Sequence, residues 1–250
     1  MSFYSQNGED YLLWEFFNHK VNGFFIDVGA FDGIHLSNTY SFGNIGWKGI
    51  CIEPHPEYFP FCKKNRPDSI CLNLACVSHD QNENCDFYLE KIGLLSGIGI
   101  KDNENDLKQR YLNRGLDYKG IQKVKVQSRS LNSIIKDYLP ANCKIDFISI
   151  DVEGTELDVL HGLNLSMFAP RVIVIEGNTY EAKKEIIEYM EKFDYKLARE
   201  LKVNLFFVRS EKDKCALQDI KINCVIEKQI HPLGIDFTIK QFRENKKICE

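Results

Sequence analysis

Six acidic residues sit within or just beyond the apolar runs of this 250-residue chain. Asp27 and Asp32 belong to Phe24-Phe25-Ile26-Asp27-Val28-Gly29-Ala30-Phe31-Asp32-Gly33, and Glu53 closes Gly49-Ile50-Cys51-Ile52-Glu53. Asp151 and Glu153 follow Phe147-Ile148-Ser149-Ile150, and Glu176 closes Val172-Ile173-Val174-Ile175-Glu176. Carboxylates at the ends of buried strands can accept vicinal hydroxyls, take a proton, or hold a hard divalent cation. Asp151 and Glu153 are candidate catalytic bases, because acids crowded among other acids hold their protons more tightly and titrate nearer neutrality. His35 is the third candidate, since imidazole exchanges protons near neutral pH. Two other readings of the acids stay open. Asp151, Glu153 and Glu176 are the set that would hold an oxygen-loving cation if the chemistry used one, and Glu153 with Asp158 could simply favour the first turn of a helix.

These residues need elements to position them. Apolar runs predict strands over 24–29, 49–53, 70–76, 145–150 and 171–176, and helical spacing fills 7–19, 37–42, 56–65, 130–138, 154–163 and 180–192. Asn7 is the expected cap of the first helix. Strands over 195–199 and 203–208 close the series as an antiparallel hairpin. This alternation predicts an α/β fold, a doubly wound, mostly parallel seven-stranded sheet of Rossmann-like type. With the order 3-2-1-4-5 the ligand crevice opens between the first and fourth strands, bringing the loops after Gly29 and Ile150 face to face. Strands at 86–89 and 123–127 flank an insertion over 91–122, which is long enough to serve as a lid or acceptor-binding element. The expected domain spans 1–208, and 209–250 is a C-terminal extension without clear periodicity.

The turn after the first strand narrows the ligand. Gly-Ala-Phe-Asp-Gly lacks the Gly-x-Gly that lets a backbone press against a pyrophosphate, and Asp32 brings negative charge where phosphate would sit. Glu53, twenty residues beyond Gly33, occupies the ribose position of a nucleoside fold. A nucleoside carrying a sulfonium and an amino-acid tail fits this pattern: S-adenosylmethionine. Its expected contacts are Gly29, Ala30 and Gly33 through the backbone, Asp27 and Asp32 at the loop, and Glu53 with Pro54 at the ribose. Ala75 and Val77 are placed against the adenine, with Asn73 or Ser78 nearby, and Asp151 approaches from the facing loop.

Four motifs in order also resemble one family. They are Ser5-Gln6-Asn7-Gly8-Glu9-Asp10; the Asp27–Gly33 turn with His35, Ser37, Asn38 and Thr39; Gly46-Trp47-Lys48-Gly49 leading to Glu53-Pro54-His55-Pro56; and Ile145-Asp146-Phe147-Ile148-Ser149-Ile150-Asp151-Val152-Glu153-Gly154. Over residues 3–208 the chain resembles the FkbM family of methyltransferases. The resemblance implies S-adenosylmethionine-dependent O-methylation, commonly of hydroxyls on sugars or other secondary metabolites. It also implies that Ser5 and Gln6 fold back over the cofactor, with an ordinary helix cap as the alternative.

Composition bounds the partners. A net charge of −4, with 44% hydrophobic and 27% charged residues, suits a globular enzyme and argues against nucleic acid as substrate. Nine cysteines without a Cys-x-x-Cys pair read as reduced core thiols rather than a zinc site. No signal-peptide pattern or membrane span is evident, so the expected location is the cytoplasm. The expected partner is a small-molecule or glycan hydroxyl acceptor. Two rivals stay open: a non-catalytic S-adenosylmethionine-binding protein, and an NAD-dependent oxidoreductase, which the missing Gly-x-Gly and the expected absence of a Tyr-x-x-x-Lys pair oppose.

Overall fold

The computed structural model describes residues 1–80, 83–90, 95–98, 105, 108, 109, 112, 118 and 120–229. Its centre is strand β1 (Phe24–Val28), all five residues of which are buried. Phe24, Ile26 and Val28 face one apolar cluster while Phe25 faces another, as the two-residue period of a strand requires. Covered on both faces, such a strand must be nearly all apolar, which is why Asp27 within it stands out.

Parallel neighbours flank β1: β2 (Lys48–Ile52), then β3 (Ile70–Leu72) beyond it, and β7 (Phe147–Ile150) on the other side, followed by β8 (Val172–Glu176). The antiparallel pair β9 (Lys196–Leu201) and β10 (Asn204–Val208) completes seven strands in the order β3-β2-β1-β7-β8-β10-β9. The expected sheet is therefore present, hairpin included. The strands β4 (Ala75–Cys76), β5 (Asn84–Glu90) and β6 (Ile121–Arg129) form a separate small sheet. Between the strands run α1 (Glu9–Phe16), α2 (Tyr40–Gly43), α3 (Phe59–Asn65), α4 (Leu131–Tyr138), α5 (Glu156–His161), α6 (Leu165–Phe168), α7 (Tyr180–Glu191) and α8 (Glu211–Asp219). Helices α4, α5 and α7 cover one face through Ile134, Val159 and Ile186, and α1, α3 and α8 cover the other through Leu12, Cys62 and Leu217.

Two local expectations need correction. The single strand over 70–76 is two strands in different sheets. After Leu72 O accepts the last ladder bond from Glu53 N, the Asn73 amide donates to the carbonyls of Glu53 and Pro54, and the chain turns into the small sheet. Asn7 does not cap α1; its amide and backbone N–H both bond to Glu9, and the helix begins after Gly8. The flanks of the insertion pair as β5 and β6 in regular antiparallel register from Asn84↔Gln127 to Glu90↔Ile121. Most of 91–119 lies outside the described residues, as does 230–250, so a lid there is not described.

The C-terminal extension is built onto the domain as far as Gln229. Ser210 caps α8 by accepting from Asp213 N, and Arg171 pairs with Asp213 at 2.7 Å. Further on, Glu227 N donates to Phe3 O, and Gln229 bridges two segments by donating to Tyr4 O and accepting from Leu36 N. Residues 3–5 are thus held between the extension and the β1–α2 loop, where Ser5 bridges Leu36.

Candidate active site

The carboxyl ends of β1, β2, β7 and β8 open into one cavity of about 360 Å³. Asp27, Gly29, Ala30, His35, Asn38, Glu53, Pro54, Asp151, Glu153 and Glu176 lie on its wall, as does Gln6. The N-terminal motif is what brings Gln6 there. Ser5 Oγ accepts from Gly8 N and Asp10 N and donates to Asp10, which also accepts from Ser41 of α2. Glu9 accepts from Asn204 of β10, so the segment is tied down on both sides of Gln6.

Glu53 is held from both ends. Its Oε2 accepts from Phe31 N and its Oε1 from His55 N, each at 2.6 Å. Burial pushes its carboxyl up to about 8 against the pull of those two amides, with Asp27 and Asp32 adding repulsion. Each oxygen keeps a lone pair, so a vicinal diol can still be accepted. Beside it lies a small apolar slot of about 20 Å³ whose lining includes Val28, Ile52, Pro54, Leu74, Ala75, Phe87, Ile98 and Val152.

Asp27 is the hub of a buried network. It accepts from Thr39 Oγ1 at 2.5 Å and faces Arg66 Nη2 at 3.6 Å, while Arg66 also donates to Ser37, Thr39 and Gly33 O. Burial pushes Asp27 up to about 6, Cys51 opposite it adds to that, and Arg66 pulls the other way. Nearby, Asn38 donates to Ser149 Oγ at 3.0 Å, and its buried Oδ1 has no protein partner. An ammonium group would satisfy that oxygen.

On the facing side, Asp151, Glu153 and Glu176 bring carboxylate oxygens within 4.8 Å of one another. Asp151 is solvent-accessible, but the surface it shows is the cavity's inner wall. Packing there holds its carboxyl well above the ordinary range, with Glu176, Glu156 and Asp27 adding repulsion. Burial likewise pushes Glu176 up to about 8, with Glu153 and Glu156 behind it. The Asp151 and Glu176 carboxyl oxygens lie within 4.8 Å of each other, close enough that ionising both is unfavourable. Glu156 was not among the expected site residues. Its Oε1 accepts from Val152 N and Gly154 N and so fixes the loop in which Glu153 takes a left-handed φ of 58°. The Asp151-x-Glu153-x-x-Glu156 spacing was its only trace in the sequence.

Four expected cofactor contacts lie off the wall of the main cavity. Asp32 turns its Oδ1 to Ile34 N and His35 N, closing its own loop, so it is not the group that deters phosphate. Gly33 faces Arg66 and Cys62 of α3 rather than a ligand. Val77 bonds through N to Arg129 O and lays its carbonyl against Gly162. Ala75 lines the apolar slot instead of the main cavity. What the lining lacks for an anion is a cation: among the described lining residues there is no lysine or arginine. A Tyr-x-x-x-Lys spacing does occur, Tyr180 with Lys184, but Tyr180 is 78% exposed and neither residue lines the cavity.

This sheet order with its late hairpin, over a crevice closed by an acid at the end of β2, is the class I methyltransferase fold. The FkbM methyltransferase domain matches residues 27–197, more than half of the chain, and the protein belongs to that family. Its methyl donor is S-adenosylmethionine, and the chemistry of the lining is compatible with it: Glu53 would accept the ribose diol, the apolar slot would border the adenine, and Asn38 and Asp27 would face the amino end. Among curated proteins none matches. Similar solved structures include the ribosomal protein L11 methylase of Lactobacillus delbrueckii subsp. bulgaricus (10% identity, TM-score 0.40, covering 78% of this chain and 74% of that one). A SAM-dependent methyltransferase of Aquifex aeolicus shows 16% identity and a TM-score of 0.39 over 81% of this chain and 89% of its own. A TehB-like SAM-dependent methyltransferase of Corynebacterium glutamicum shows 11% identity and a TM-score of 0.39, over 80% and 84%. Among the described residues no helix is long and apolar enough to cross a membrane.

Proposed function

We propose that the protein is an S-adenosylmethionine-dependent O-methyltransferase that methylates a hydroxyl of a sugar, glycan or related small metabolite. The observation that carries this reading is the close Asp151, Glu153 and Glu176 cluster sharing one cavity with Glu53. Bound S-adenosylmethionine supplies an activated methyl group. The chain's own work is then alignment and proton removal. Asp151 would take the proton of the acceptor hydroxyl, with Glu153 alongside and His35 as the other base within the cavity. Holding the two reactants in line accounts for about 7–11 kcal/mol of barrier lowering, and a positioned base for a further factor of about 10²–10⁴.

The charge of the cavity also favours neutral or amino-bearing acceptors over phosphorylated ones, because no cation among the described lining residues offsets a phosphate. Leu95 and Ser96, from the described part of the insertion, reach the cavity wall and support an acceptor-binding role for it. All eight cysteines among the described residues are free thiols, which suits a reducing cytoplasm.

Transfer of tritiated methyl from S-adenosylmethionine to a panel of neutral and amino sugars tests the reading. Label in a base-stable ether supports it, and binding without transfer to any acceptor favours a non-catalytic binding protein. In a thermal-shift titration S-adenosylhomocysteine should raise the melting temperature while NAD does not. Equal stabilisation by NAD would return the oxidoreductase reading. Glu53→Ala should weaken S-adenosylhomocysteine binding by about 1.5–3 kcal/mol, the value of hydrogen bonds to a charged group. Calorimetry showing unchanged affinity would remove Glu53 from the ribose site.

A further inference from the structure

A second cluster of reactive side chains lies behind the cofactor loop. Cys51 on β2 and Cys71 on β3 are register partners in a parallel pair, so both side chains leave the sheet on the same face. Cys62 of α3 covers them, and the three sulfurs lie within 4.8 Å of one another. Cys51 and Cys62 are fully buried, whereas Cys71 is partly exposed and gives access from the surface. None lines the cavity, and none has a part in methyl transfer.

We propose that Cys51, Cys62 and Cys71 form a three-sulfur binding site for a soft monovalent metal ion of the copper(I) type. The spacing is close to what such a site needs. A metal–sulfur bond of about 2.3 Å places three sulfurs in a trigonal plane about 3.9 Å apart, so each has to shift by less than about an ångström. Little holds the sulfurs back. The Cys71 thiol makes only long contacts, to the carbonyls of Cys62, Arg66 and Ser69 at 3.8–4.0 Å.

The donor set selects the ion. Thiolates favour soft metals, copper(I) and zinc above all, but structural zinc takes four ligands in a tetrahedron. Among the described residues no fourth histidine, cysteine or carboxylate joins this group. As the ion enters, up to three thiol protons leave, and the resulting complex is anionic. Positive charge stands ready for it. Lys63 adjoins Cys62 in α3, and Arg66 closes that helix.

The test is copper(I) competition under anaerobic conditions, with the full-length reduced protein against bathocuproine disulfonate. The expected result is one tightly held ion per chain, with Cys71→Ser weakening retention at least a hundredfold. Cys143→Ser and Cys215→Ser, which change thiols outside the cluster, should retain the ion as the parent does. Cys71 is the first position to change because it is not fully buried, and an unaltered melting curve shows that the variant folds. Cys62→Ser should act in the same direction. Retention unchanged in Cys71→Ser, loss of copper in the Cys143 or Cys215 variants, or tight binding of zinc(II) in place of copper(I) would each overturn the assignment.

Discussion

Gly29→Ala should destabilise the protein by about 2–5 kcal/mol, combining the cost of a left-handed residue with that of forcing atoms into a packed site. Gly29 has a φ of 87°, and a Cβ built there would lie 1.7 Å from Asp151 O and 2.8 Å from its carbonyl carbon. Those atoms are backbone of the facing loop, anchored by the bond from Asp151 N to Val28 O, and have no rotamer by which to escape. The expected readout is a lower urea midpoint with an unchanged slope. Gly120→Ala separates the two contributions. Gly120 has a φ of 83° with nothing among the described residues within 4 Å of its missing Cβ, so it carries the conformational cost alone, about 1–2 kcal/mol. Equal losses at the two glycines would show that the β1 and β7 loops are not in the contact described.

Gly29 also illustrates what a sequence does and does not disclose. Its place in a tight turn after a buried strand was legible, because Phe24–Val28 is too apolar to be anything but a central strand. The reason for glycine was not. The sequence suggested close approach of a ligand, while the structure fills that direction with the Asp151 carbonyl. Glu53, Asp151, Glu153 and Glu176 were legible for a simpler reason: an acid at the carboxyl end of a buried strand has only the crevice to face. Asp32, Gly33 and Val77 lie within or beyond turns, where one rotation of the backbone decides which way the residue faces. That rotation depends on partners distant in the chain, here Arg66 and Arg129.

The same limit explains the elements that were missed. Helix α8 buries a single apolar side chain, Leu217, so no periodicity announces it. Only Ser210-x-x-Asp213, the start of a capping pattern, could have. The Gln229 bridge reaches Tyr4 and Leu36 across 225 and 193 residues of sequence and has no local signature at all. Arg66 stands at the end of α3 in a run that reads as a solvated helix terminus. It is buried because Asp27, Ser37 and Thr39 need a cation between β1 and α3.

Asp151→Asn should lower turnover by about 10²–10⁴-fold, the contribution of a positioned base, while S-adenosylhomocysteine affinity changes little. The pH profile carries the distinguishing information. The wild-type rate should climb with pH as Asp151 gives up its proton, from a carboxyl held well above its ordinary range by burial and by Glu176, Glu156 and Asp27. The asparagine variant should be flat over the same interval. Stability should move in the opposite sense. The folded Glu176 keeps its proton to about pH 8, against 4.5 for an unperturbed glutamate, so between those values the folded state binds more protons than the unfolded one. The pair's contribution is thus fully present below about pH 4.5 and is lost as the pH rises through about 8. Glu176→Gln should flatten that loss, and denaturant midpoints measured from pH 5 to 9 would reveal it. Chelators should leave the wild-type rate untouched. If they abolish it, and Mg²⁺ or Mn²⁺ restores it, then Asp151, Glu153 and Glu176 serve as ligands rather than as base and partners, as three close oxygen donors permit. If neither the asparagine variant nor a chelator alters the rate, the acids are structural, and His35 becomes the residue that must take the proton.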